Sequence, residues 1–269
     1  MLKRFLSLIR AEYMFVAAEI IRRKTILFSL ILWPYIIMAF IVLLGSSMGG
    51  MSHFQQKIGT NPVLFFITGS FLLIVSLIFF DEISSRFWYD EFIGTLPYII
   101  IAPTSKTMLA LAMGFPRLII NVLVGLSSLI PVYFILKSFP GLIEALVVIA
   151  LSIFSALTFS TLAIIFSSLV LISGGGWRVL SILRPLIMLI SGVLYPRFLL
   201  PLTIKFFTII FPLANSVEVI QLFLVQGGLT AYSLMLLGLA TAFALLYAPI
   251  SIGSLRTWEH RVLVKGAKT

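Results

Sequence analysis

Residues 26–44 carry no charged side chain, and neither do residues 62–80. At 1.5 Å of helical rise per residue, a run of that length reaches across most of a hydrocarbon layer about 30 Å thick. Inside that layer no water is available to backbone N–H and C=O groups, so a spanning segment must satisfy them itself or through a closed barrel. The runs are continuously apolar rather than alternating, which selects helix. Only 10% of the 269 residues are charged and 61% are apolar, whereas soluble domains carry about a quarter charged residues. The expectation is an all-α integral membrane protein, residues 1–269 forming one transmembrane domain.

In chain order, residues 1–24 space Leu2, Phe5, Leu6, Ile9, Tyr13, Val16 and Ile20 at helical intervals, with Lys3, Ser7 and Arg10 on the other side. That pattern predicts an amphipathic helix lying on the lipid surface. A first span follows over 26–44, kinked at Pro34. Residues 45–61 read as an outer loop and 62–80 as a second span. A third span runs from 108 or 112 to 136, with a tight outer turn at 137–141. The fourth, 142–172, is rich in Ser and Thr, which allow helices to approach closely and bond across the interface. Gly174, Gly175 and Gly176 read as a helix breaker, and a fifth span covers 179–195. Residues 197–226 are apolar but broken at Pro201 and over 212–216. Neither half is long enough to cross, so a re-entrant helical hairpin dipping in from the outer face is expected. The last span is 229–253. The count is six transmembrane helices.

Basic residues orient the chain. Of the 19 Lys and Arg, 15 fall in segments that this arrangement places inside, and Lys57, Lys137, Arg197 and Lys205 fall outside. The positive-inside rule then puts both termini in the cytoplasm. It also explains the net charge of +10 without a nucleic-acid partner, since no soluble basic domain is left over.

The chemistry that can be read is mostly negative. There is no cysteine, hence no disulfide or thiolate metal site. No Gly-x-x-x-x-Gly-Lys-[Ser/Thr] sequence occurs to cradle ATP phosphates. His53 and His260 both lie outside the spans, so no histidine base reaches an intramembrane serine. None of the nine acids sits mid-span, where an ion-coupled carrier would hold one. No metal site and no cofactor are expected in this chain. Arg117 is the most interior-looking charge, read either as reaching up to the headgroups or as lining a substrate path.

Residues 84–106 stand apart as the interior loop with both acidic pairs and bulky aromatics. As one helix, Trp88, Phe92, Thr95, Leu96 and Ile99 share a face. Asp90, Glu91 and Gly94 lie elsewhere, the acids turned to the cytosol. Glu91, Gly94-Thr95-Leu96, Pro103 and Ser105-Lys106 closely resemble a stretch in permease subunits of ATP-binding-cassette exporters of the second export class. In this chain Phe87-Trp88-Tyr89 precedes Asp90-Glu91, where members of that family often carry a basic-acidic run before Gly-Thr-Leu. The resemblance implies that 84–106 is a coupling helix docking on a separate ATPase subunit through Trp88, Asp90, Glu91, Phe92, Gly94, Thr95, Leu96 and Pro103. It also implies that ATP and Mg²⁺ bind the partner chain, that this chain is not itself an enzyme, and that two permease chains, identical or not, pair in the cell membrane around a central path. Gly192 to Pro201, Pro212 and Asn215 resemble the outer gate region, making Asn215 and Glu218 gate candidates beside Arg117. The alternatives are a membrane-embedded lipid-modifying enzyme, for which Asp81, Glu82, Asp90 and Glu91 form the one acidic group placed to hold Mg²⁺, and a scaffold or channel with no energy source.

The absence of cysteine makes topology directly testable. Single cysteines at Ser52 and Ser138 should react with an impermeant thiol reagent from outside intact cells, and one at Ser85 should not. The reverse pattern would invert the orientation.

Overall fold

The computed structural model describes residues 2–173 and 176–265. Among the described residues the regular structure is helical, with no strand. The helices are α1 (Leu2–Arg22), α2 (Lys24–Ser47), α3 (Gly50–Ile58), α4 (Pro62–Phe92), α5 (Leu96–Ile101), α6 (Lys106–Ser173), α7 (Gly176–Ser191), α8 (Leu202–Ile209), α9 (Pro212–Gln226) and α10 (Ala231–Lys265). Four of them, α2, α4, α6 and α10, are long and apolar enough to cross a membrane, and the bent pair α8–α9 makes a fifth if taken as one broken span. Of the triple glycine, Gly174 and Gly175 lie outside the described residues, and Gly176 opens α7.

Helix α4 is the centre of the bundle. Its most apolar stretch is 83% buried by other helices, against 6% for α2 and 22% for α10. Asn61 starts it by accepting the Val63 amide at 2.9 Å, and Pro62 occupies the first helical position, where a missing N–H is harmless. Phe65, Ile67, Phe71, Phe80, Ile83 and Phe87 are all within 2% of full burial. Gly69 faces the chain after α7, and a Cβ there would stand 2.6 Å from the Val193 carbonyl. Only a residue without a side chain permits that approach.

Helix α6 spans 68 residues but is not straight. Ser138 has φ 55° and ψ −141°, outside helical geometry. A Cβ on Gly141 would fall 2.3 Å from the Tyr133 carbonyl, and one on Gly125 would fall 2.7 Å from Ile149. Both pairs are centred on residue 137. In an unbroken helix residues 125 and 149 would lie roughly 36 Å apart. The two arms of α6 are therefore folded back antiparallel, with the turn inside the expected 137–141 segment. Lys137 and Glu144 close it with a 2.7 Å ion pair.

Three expectations need correction. Residues 45–61 are not simply a loop: α3 forms there between Gly49 (φ 69°) and Gly59 (φ 78°). Met51, Phe54 and Ile58 repeat at helical spacing, and the Phe54 ring packs 5.3 and 4.8 Å from Phe65 and Phe66. The turn placed at 212–216 lies at Ile210–Phe211 instead, because Pro212 is a favoured first helical residue and starts α9. The hydroxyls of the second α6 arm bond mainly to their own helix. Ser152, Thr158, Ser160 and Ser168 donate to carbonyls three or four residues back. That route is available at every position, whereas bonding across an interface needs an aligned partner.

The close approach within α6 yields a test. Gly125→Leu should lower stability by about 1–3 kcal/mol through overpacking against Ile149. Combining it with Ile149→Ala should cost less than the sum of the two single changes, read from thermal unfolding in detergent.

Candidate functional site

Helix α4 does not stop where the apolar run ends. No Gly or Pro intervenes between Phe80 and Phe92, so the helix continues for three further turns, carrying Asp81, Glu82, Arg86, Asp90 and Glu91. Gly94 then adopts φ 80°, the left-handed region that favours glycine. The chain turns, and α5 begins at Leu96. Residues 84–106 are thus an elbow of two helices rather than one helix.

The elbow rearranges the expected faces. Asp90 is 4% exposed rather than turned to the cytosol. It accepts the Thr95 hydroxyl at 2.9 Å, its carbonyl accepts the Thr95 amide at 2.8 Å, and Arg86 lies 3.4 Å away. Leu96 is buried. Trp88 is half-buried, stacks on Phe92 at 6.1 Å and lies against Gly176, where a Cβ would meet the indole at 2.4 Å. Glu91 is partly exposed, and Phe92, Ile93, Gly94 and Pro103 are exposed. Nothing lies within 4 Å of a Cβ placed on Gly94. The elbow therefore exposes Tyr89, Phe92, Ile93, Tyr98 and Ile101, with open space at its glycine apex.

Behind the elbow, α1 lies across charged groups of α4 and α6. Arg117 pairs with Glu82 at 2.5 Å and with Glu19 of α1 at 3.2 Å. Arg86 stands 4.0 Å over the Phe15 ring. Burial lifts the Glu12 carboxyl above its ordinary 4.5, Arg86 draws it back, and Glu82 and Asp90 add to the rise. Arg184 of α7 pairs with Asp81 at 2.8 Å and lies 5.3 Å from the Trp177 ring. Together α1, α2, α4 and α7 line a groove of about 780 Å³ whose walls include Arg22, Arg23, Arg184, Asp81 and Trp177. Three of the four acids read as the one group placed to hold Mg²⁺ are thus engaged by arginines.

At the far end of the bundle, Arg197 gathers the residues read as gate candidates. It pairs with Glu218 and donates to the Asn215 side-chain oxygen at 2.7 Å and to the Thr208 carbonyl at 2.8 Å. Asn215, fully buried, donates to the Ile209 carbonyl at 2.7 Å. Tyr232 of α10 reaches Glu218 at 3.4 Å. Helices α8 and α9 meet at 104°, and these side chains cover the carbonyls freed at that bend. Sequence reasoning singled out Glu218 and Asn215 but treated Arg197 only as an outer charge. The signal was present: a lone Arg between Pro196 and Pro201 with one acid in the apolar stretch that follows.

The elbow and the groove lie at one end of α4 and the Arg197 cluster at the other. No protein-family model matches the chain, and no curated protein matches it.

The Arg197 cluster predicts a strong asymmetry. Arg197→Met leaves a partly buried carboxylate without its cation and should cost about 1–3 kcal/mol, whereas Arg197→Met with Glu218→Met should recover most of that loss. Thermal unfolding in detergent measures both.

Proposed function

We propose that this chain is the permease subunit of an ATP-driven exporter of the second export class. The observation that carries the reading is the elbow: exposed aromatic and aliphatic side chains about a left-handed glycine with open space around it, at the end of the most deeply buried of the four long apolar helices. A push on that surface is delivered to α4, and so to every helix packed on it. A separate ATPase subunit holding ATP and Mg²⁺ docks there through Glu91, Phe92, Gly94 and Pro103. Trp88, Asp90, Thr95 and Leu96 hold the elbow's shape.

In this reading the chain lies in the cell membrane with both termini cytoplasmic. Six spans arise by counting α2, α4, the two arms of α6, α7 and α10, with α8–α9 as an outer re-entrant hairpin. Helix α1 rests on the lipid surface. Two such chains pair about a two-fold axis, as oligomers commonly do, and enclose the path. ATP shifts the pair between inward-open and outward-open states only by as much as its ATPase contacts differ between them. In the groove Arg86, Arg117 and Arg184 are already held by acids, so Arg22 and Arg23 are the guanidinium groups left to take the anionic head of an amphiphilic cargo, while the aromatic walls take an apolar tail.

Affinity purification of the tagged chain from its own membranes should bring down an ATPase carrying a Gly-x-x-x-x-Gly-Lys-[Ser/Thr] loop. Glu91→Lys should abolish that capture without changing the amount of chain in the membrane. Glu144→Gln, at the α6 turn, should leave capture intact. Full capture by Glu91→Lys overturns docking at the elbow, and capture of no ATPase by the unaltered chain overturns the exporter reading. Gly94→Trp is a less clean probe, since a side chain at φ 80° costs about 1 kcal/mol in local strain before any docking is considered.

A further inference from the structure

Lys106 is a cation in an unexpected place. It is the first residue of α6, where the helix dipole disfavours positive charge, and its side chain is only 3% exposed. A buried ammonium is tolerated only with partners. Here Nζ donates to the carbonyl of Ala102, which caps α5, at 2.9 Å and to that of Thr104, in the link to α6, at 2.9 Å, and lies 3.5 Å from Glu259 of α10. A few residues earlier on α10, Leu255 is buried, and Trp258 packs its ring 5.7 Å from Phe87 of α4. The cytosolic-side end of α10 therefore touches the elbow segment twice, near its start through Phe87 and at its close through Lys106. The first contact is apolar and buried. The second is an ion pair with a partly exposed carboxylate bordering a cavity of about 200 Å³.

We infer that Lys106 and Glu259 clasp the elbow to the end of α10, so that residues 84–106 and residues 255–260 move as one body. The inference deepens the exporter reading, on which its consequence for transport rests: the push received at Phe92 and Gly94 reaches α10 directly, as well as α4 and α6. Lys106 and Glu259 are then positioning residues, which contact neither nucleotide nor cargo.

The full chain in lipid nanodiscs tests the clasp without any ATPase. Having no native cysteine, it can carry spin labels at Tyr98→Cys on α5 and His260→Cys on α10, both exposed positions. The distance between them should form one narrow peak. Lys106→Met and Glu259→Gln should each lose that peak, while a control pair at Ser52→Cys and Leu229→Cys stays unchanged. Because Glu259 is partly exposed, Glu259→Gln should leave the unfolding temperature near that of the parent, which separates a clasp from a merely stabilising contact. A narrow Tyr98–His260 peak surviving in Glu259→Gln overturns the proposal. If Lys106→Met also disturbs the control pair, Glu259→Gln alone decides. Failure here leaves ATPase capture at the elbow untouched, and failure of that capture leaves the clasp standing.

Discussion

A chain this apolar can interrupt a helix only where something else takes up the backbone groups that the interruption frees. That constraint accounts for the placement of most of the notable polar side chains. Where α8 turns into α9, the Thr208 and Ile209 carbonyls are taken by Arg197 and Asn215, and the Ile210 carbonyl accepts the Tyr247 hydroxyl at 2.8 Å. Where α7 ends, Gln221 donates to the Gly192 carbonyl at 2.8 Å. Where α5 ends, Lys106 serves the same purpose. These polar side chains sit at breaks, and those breaks sit at the two ends of the bundle.

The same constraint separates what could be read from the sequence and what could not. Long uncharged runs announce helices by length and the repeat of Phe5, Ile9, Val16 and Ile20 announces one by spacing, so α2 and the two arms of α6, and likewise α1, lie close to where the sequence puts them. The turn at Ser138 lay within a segment marked by Lys137, Pro140 and Gly141. The end of α4 was misplaced because charge was taken as a stop. Charge ends a span, yet a helix ends only when its backbone is diverted, and that happens at Gly94. The short helix α3 was missed because two glycines and several polar residues outweighed the weak repeat of Met51, Phe54 and Ile58.

For the candidate site, the positions in 84–106 could be named, but their orientations could not. Asp90 was expected at the surface. It is buried because Thr95 curls back to it across the Gly94 turn, a contact that exists only in the bent form. Arg197 found its partners eleven to twenty-one residues away, and Arg117 found Glu19 across ninety-eight. Pairings of that kind depend on which helices become neighbours. Periodicity says which face of a helix is apolar, but not which other helix will cover it.

The fold-back of α6 also bears on how the protein is made. Gly125 meets Ile149, and Tyr133 meets Gly141, across the turn at Ser138, the partners being 24 and 8 residues apart in the chain. Contacts that close so short a loop carry little entropic cost and form early. As the chain leaves the ribosome, this pair of arms can therefore enter the bilayer already zipped, and it gives α4 a finished wall to lean on before α9 and α10 have been synthesised. Variants that widen the Gly125 contact would then show themselves in the yield of inserted protein before they show in the behaviour of the protein that survives.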